Sequence, residues 1–237
     1  MSETVTYSLD GKVAVIGLDD GKANALSSGV LDALAGALDR AEAEARAVVL
    51  TGRPGRFSAG FDLAAMTASA ESARALVTQG AELLLRMYVF PRPVVAACTG
   101  HALAAGALLL LAADTRVGAR GNFKIGLNEV AIGLTLPIFA VELARDRLSK
   151  RHLVAATVQG RVYEPEQATD VGYLDKLVAP DDVVGAALDE ARALAELSTG
   201  ALAGTKQLLR ERTVQHARDT LAADMENIAP PAGVKKP

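Results

Sequence analysis

The chain has one cysteine, Cys98, no tryptophan, and only 4% aromatic residues among its 237. A lone cysteine excludes an internal disulfide framework and a thiolate metal site, and it suits a reducing compartment. Scarce aromatics argue against stacking platforms for nucleic-acid bases. Lysine and arginine number 25 against 28 aspartates and glutamates, a formal net charge of -3, so no basic face invites a polyanion. His101, His152 and His216 are scattered without metal-ligand spacing. Walker-type lysine motifs, G-x-G-x-x-G and the G-x-S-x-G elbow are all missing. The opening MSETVTYSLDG lacks the basic and apolar pattern of a signal peptide, so a cytoplasmic location is expected.

What is present is apolar bulk: half the residues are hydrophobic, enough for one large core or two smaller ones. The run from Pro93 to Ala113 imitates a membrane span, but Thr99, Gly100 and His101 interrupt it. About twelve apolar residues remain, short of the ~20 a span needs. It reads as a buried strand, a tight turn and a buried helix over 101–113, and no membrane association is expected.

Two β-rich runs flank Asp10-Gly11, a hairpin signal. Leu31, Leu34 and Leu38 form one helical stripe, with Ser27 or Ser28 as its cap. RAVVLTG and RPVVAACTG read as buried strands. Residues 69–88 read as a helix with Leu76, Leu83, Leu84 and Met87 on its apolar side. DTRVGA and GNFKIG are brief extended pieces, and helices dominate after Pro137. VGYLDKLVAP is a late strand, and two helices run from beyond Ala179 to about Asn227. The spacing predicts an α/β core over 1–190 and a helical region over 191–229. The tail 230–237 has a disordered composition.

Three stretches could carry chemistry. VVLTGRPGRFSAGFDL and VVAACTGHALAAGALLLL each bring a strand through glycine into a junction rich in small residues. Unpaired N–H groups at two such junctions can converge on one oxygen as an oxyanion hole. The plainer alternative is that the glycines end strands and the alanines permit close helix packing. The third, IGLNEVAIGL, sets Asn128 and Glu129 in apolar company. Either Asn128 caps a short helix with Glu129 in its first turn, or Glu129 is a general base raised by burial. His101, at the second junction, reads as structural.

FSAGFDL, GHALAAGALLLLAAD and FKIGLNEVAIGL, with NALSSGVLDAL before them and EPEQATDVGYLDKLVAPDDV after, resemble the crotonase (enoyl-CoA hydratase/isomerase) superfamily. The resemblance runs from about Val13 to Leu209. It implies a right-handed spiral of ββα units with a C-terminal helical region used for trimer assembly. It also implies an acyl-CoA thioester as partner, in a homotrimer or hexamer, with no cofactor beyond the coenzyme A of the substrate and no metal. By the same resemblance, the amides of Phe61 and Ala105 are the oxyanion donors. Ala59, Gly60, Asp62 and Leu63 border the pantetheine, while Lys22, Ala23 and Ala25 lie near the nucleotide end.

One departure from the family pattern is informative. Hydratases of the family carry two catalytic glutamates, and this chain has Leu108 at the first position and Glu129 at the second. Leucine can neither orient nor deprotonate water. A single carboxylate suffices to move a proton from C2 to C4, as in the Δ3,Δ2-enoyl-CoA isomerases, which share this arrangement. Glu129 is then the acid–base, Asn128 positions it or the substrate, and Leu108 keeps water out. Hydration, thioester hydrolysis and non-catalytic acyl-CoA binding are the alternatives. For the first two, Asp62 or a C-terminal acid such as Glu226 would supply the missing group.

Overall fold

The structure, a computed structural model, describes residues 4–228; the tail expected to be disordered lies outside them. The chain opens with an antiparallel hairpin, β1 (Val5–Asp10) and β2 (Val13–Leu18), turning at Gly11 with φ +59°. After β3 (Ala25–Leu26) comes α1 (Ser28–Glu44), capped by Ser27, whose hydroxyl accepts the Val30 N–H. Next are β4 (Ala47–Thr51), β5 (Gly55–Ser58), β6 (Gly60–Phe61), α2 (Leu63–Ala68) and α3 (Ala70–Tyr88). A third turn contains β7 (Val94–Cys98), β8 (Gly100–Leu103) and α4 (Ala105–Ala112). A fourth contains β9 (Thr115–Ala119), β10 (Ile125–Gly126) and α5 (Ile138–Arg147). Then follow α6 (Leu153–Ala156), α7 (Pro165–Val171), β11 (Lys176–Val178), α8 (Val183–Ala195) and α9 (Thr199–Glu226).

Each turn of this spiral adds one strand to a main sheet of order β1-β2-β4-β7-β9-β11, parallel from β2 onward. Shorter strands build a second parallel sheet, β10-β8-β5, and a third, β3-β6. The repeat is the expected strand–strand–helix unit. Main-sheet strands such as VVAAC are apolar throughout because both faces are covered. On one face α8 presents Val183, Ala187, Ala191 and Ala195, one per helical turn, all buried. The expected boundary at 190 therefore falls inside α8. The other face packs on α1, α3 and α4 in the larger core.

The run that imitates a membrane span is the centre of that core. All eight residues of α4 are buried, and each of its four leucines is worth roughly 2 kcal/mol on burial. Among the described residues no helix is long and apolar enough to cross a membrane. The helix expected over 101–113 begins later than its sequence suggests. Gly100–Leu103 is a strand, held between β5 and β10, and the helix starts at Ala105. A short apolar run fits either conformation, and here pairing with distant neighbours decides.

α9 is held by charge as much as by apolar packing. Lys206 is buried, donating to the carbonyls of Phe90 (2.8 Å) and Arg92 (2.9 Å) and to Asp114 (2.6 Å). Arg210 pairs with the other oxygen of Asp114 at 2.8 Å. The late stretch ATDVGYLD ends on Asp175, which accepts from the Arg116 main-chain N–H and guanidinium, tying β9 to the entry of β11.

Candidate active site

Gly60 and Ala104 mark the point where a strand end meets a helix start, and Asn24 organises the approach. Asn24 is fully buried with φ +54°, a left-handed conformation that asparagine tolerates better than most residues. Its side-chain amide donates to the carbonyls of Leu18 (2.9 Å), Arg56 (3.1 Å) and Phe57 (3.2 Å). Its main-chain carbonyl accepts the Ser58 hydroxyl at 2.8 Å, and the same hydroxyl oxygen accepts the Gly60 N–H at 3.2 Å. Ala59 donates to the Ala23 carbonyl at 3.0 Å, and Ala25 pairs with Gly60.

Two main-chain N–H groups come close here. Asp62 donates its N–H to Leu26 at 3.1 Å. Successive amides of a strand face opposite ways, so the Phe61 N–H turns away from β3. Ala105 opens α4, and its N–H has no partner within that helix. A Cβ at Gly60, where φ is +93°, would stand 3.0 Å from the Ala105 nitrogen and 2.9 Å from the Ala104 Cβ. Only glycine suits that approach. Ala104 itself has φ +51° and ψ -126°, a strained conformation for an L-residue that fixes the direction of the following amide. Gly80 of α3 is open for a similar reason: a Cβ there would collide with the Phe61 ring.

Glu129 lies beyond β10 in a tight turn, its carbonyl accepting from Ile132 (3.0 Å) and Leu134 (2.9 Å). A short 3-10 segment, Val130–Ile132, follows it. The side chain is only 8% exposed, and its Oε2 has no hydrogen-bond partner. Burial pushes its pKa up from 4.5 to about 7, opposed by a bond to its own backbone. Behind the loop, the fully buried Tyr173 accepts the Leu127 N–H at 3.4 Å.

Phe61, Leu108 and Glu129 line one cavity of about 240 Å³, walled further by Leu134, Leu136 and Phe139. Met66 and Val77 supply another side, and the end of α9 supplies Asp224, Asn227 and Ile228. The apolar lining leaves Glu129 without solvation, which is what raises its pKa. Among the described residues no group of three or more His, Cys, Asp or Glu could hold a metal ion.

The structure brings Phe61, Leu108 and Glu129 to this cavity. Gly60 and Ala105 are outside its lining and meet at the strand-to-helix junction next to Phe61. Lys22, Ala23, Ala25, Ala59, Asp62 and Leu63 are not part of its lining. Lys22 and Leu63 are exposed. Asp62 caps α2 by accepting the Ala65 N–H at 2.8 Å.

Asn128 is neither a helix cap nor a ligand of Glu129. The 3-10 segment has no side-chain cap, and the Asn128 Oδ1 is buried without a partner. His101 accepts the Lys124 N–H at 3.0 Å and packs edge-on against Phe123, a structural role. His152 is half-buried at the start of α6. The C-terminal acid that reaches the cavity is Asp224, not Glu226; a shift of two helical positions decides which acid faces inward. Sequence reading also missed the left-handed backbone at Asn24 and Ala104 and the cavity wall from α5. Only the Asn24 position carried a signal, a polar residue just before a short strand.

The sequence pattern of the family described as enoyl-CoA hydratase/isomerase matches residues 9–234. The human mitochondrial enoyl-CoA delta isomerase 1 is 30% identical over 220 residues, 91% of this chain and 73% of that protein. A crystal structure of an enoyl-CoA hydratase/isomerase family protein from Pseudomonas syringae superposes with a TM-score of 0.93 at 42% identity, covering 95% of this chain and 98% of the other. An enoyl-CoA hydratase from Mycobacterium marinum gives 0.91 at 36% identity, covering 96% and 100%.

Proposed function

The chain belongs to the enoyl-CoA hydratase/isomerase family, and from that premise we propose that it shifts the double bond of a 3-enoyl-CoA to the trans-2 position. The thioester oxygen sits between the N–H groups of Phe61 and Ala105. Glu129, as carboxylate, removes a proton from C2. The C–H electron pair becomes a C1=C2 bond and negative charge moves onto the thioester oxygen, where the two amides stabilise it. The charge then returns through C2=C3, the C3=C4 pair takes the proton from Glu129 at C4, and the conjugated thioester results. No atom is gained or lost.

The observation that carries this reading is one buried carboxylate whose Oε2 has no hydrogen-bond partner, sharing its cavity with Leu108. Its pKa of about 7 suits a group that must both take and give a proton near neutrality. Leucine in place of a second glutamate disfavours water activation. A specific observation keeps hydration as the second reading: Asp224 also lines the cavity. Its Oδ2, however, accepts the Ile138 N–H at 2.6 Å, so half of that carboxylate is committed to structure.

Following the conjugated-thioester absorbance with 3-hexenoyl-CoA and, separately, crotonyl-CoA separates the two readings. Isomerisation gains signal with the first and loses none with the second. Loss from crotonyl-CoA alone is hydration. We also assign the exposed Leu208 and Leu209 of α9 to subunit contacts in a homotrimer, to be measured by light scattering.

A further inference from the structure

The geometry points to Asp224 as a positioning residue that sets the length of acyl chain the cavity accepts, by tying the last turn of α9 to the first turn of α5. This rests on the cavity being the acyl site of the proposed function.

α5 begins at Ile138 after Pro137, which offers no capping side chain. The Ile138 N–H would be an orphan donor. Asp224, 86 residues further along, supplies the acceptor at 2.6 Å. A carboxylate at a helix N-terminus is also favoured by the helix dipole. Both ends of this bond are cavity wall: Leu136, Pro137 and Phe139 on one side, Asn227 and Ile228 on the other. The bond is therefore a strut across the wall rather than a surface contact.

A second tie acts nearby. Arg74 of α3 donates to the Glu226 carbonyl at 3.1 Å, and Val77, one turn along α3, faces the cavity. The end of α9 is thus held to two helices that both line the site. Met225 is buried and Ile228 packs against the core, so the last turn is anchored by apolar contact while the two polar ties set its angle to α5 and α3. With the Asp224 strut gone, the last turn swings out and a longer chain is admitted.

The test measures kcat/KM for 3-hexenoyl-CoA and 3-dodecenoyl-CoA, with dissociation constants for hexanoyl-CoA and dodecanoyl-CoA. In Asp224→Ala the dodecenoyl-to-hexenoyl ratio should rise about fivefold or more, and the binding ratio should follow it. Asp224→Asn keeps an oxygen for the Ile138 N–H and should hold the parent ratio within about twofold. A ratio in Asp224→Ala that stays within about twofold of the parent or falls would overturn the inference. So would an asparagine variant as altered as the alanine one, which would mark Asp224 as a proton-handling group instead. Should the alanine variant not fold, Asp224→Ser, which shortens the reach, carries the same test. If the parent isomerises no 3-enoyl-CoA, the proposed reaction fails while the binding ratios still decide the role of Asp224. A parent that binds neither saturated acyl-CoA removes both.

Discussion

Replacing Glu129 by glutamine should make the protein more stable at alkaline pH while stopping its chemistry. In the fold Glu129 holds its proton up to about pH 7, because burial penalises the anion, whereas the unfolded chain releases it near 4.5. Between those values the native state binds more protons, so its stability falls as pH rises. The stabilisation is intact below 4.5 and gone once pH has passed 7. A carboxyl raised from 4.5 to about 7 corresponds to a penalty of roughly 3 kcal/mol. Glutamine has the same shape and no charge to desolvate. Glu129→Gln should therefore gain roughly 3 kcal/mol at pH 8.5, or roughly 6–12 °C in melting temperature for a domain of this size. At pH 5 the gain should be under about 1 kcal/mol.

Differential scanning calorimetry of both proteins at the two pH values measures this. The parent's kcat/KM for 3-hexenoyl-CoA should fall as pH drops through 7, and the variant should lose about 10²- to 10⁴-fold. A variant destabilised at pH 8.5, or shifted equally at both pH values, would refute a buried, unpaired Glu129. A variant as active as the parent would remove it from the mechanism.

Gly60→Ala should cost about 1–3 kcal/mol from its left-handed backbone and the contact with Ala104. It should lower kcat by about 10²-fold or more, because the same displacement moves the Phe61 and Ala105 amides; calorimetry and kinetics read the two effects separately. Leu108→Glu should bring a second glutamate into the cavity, and hydration of crotonyl-CoA should become detectable by loss of conjugated absorbance. Lys206→Ala should destabilise the fold by about 3 kcal/mol in urea titration, since Asp114 loses a buried partner. Its effect on the pH profile of isomerisation should be nil, because Lys206 lies outside the cavity.

Much of the scaffold was legible locally. VVAAC is apolar at every position, as a strand covered on both faces must be, and Ser27 caps α1 through a hydroxyl one turn from its target. Gly60 announced a tight junction, and the contrast of Leu108 with Glu129 required only a reading of residue types. The same kind of reading failed at Gly100–Leu103, where a short apolar segment became a strand through pairing with β5 and β10. The last helix was legible to its end near Asn227, but not that its buried face includes Lys206 and Arg210, which the distant Asp114 pairs.

What the sequence determined by itself is the inventory: a carboxylate in apolar company, glycines where two chains must nearly touch, and no second glutamate at Leu108. The tertiary structure alone decided how that inventory is used. It placed Asp224 rather than Glu226 at the cavity wall, left the Asn128 oxygen without a partner, and strained Ala104 so that its neighbour's amide is aimed. These outcomes depend on contacts between residues tens of positions apart. The free energy of such contacts is set by the packing of the whole chain, and local pattern carries no record of it.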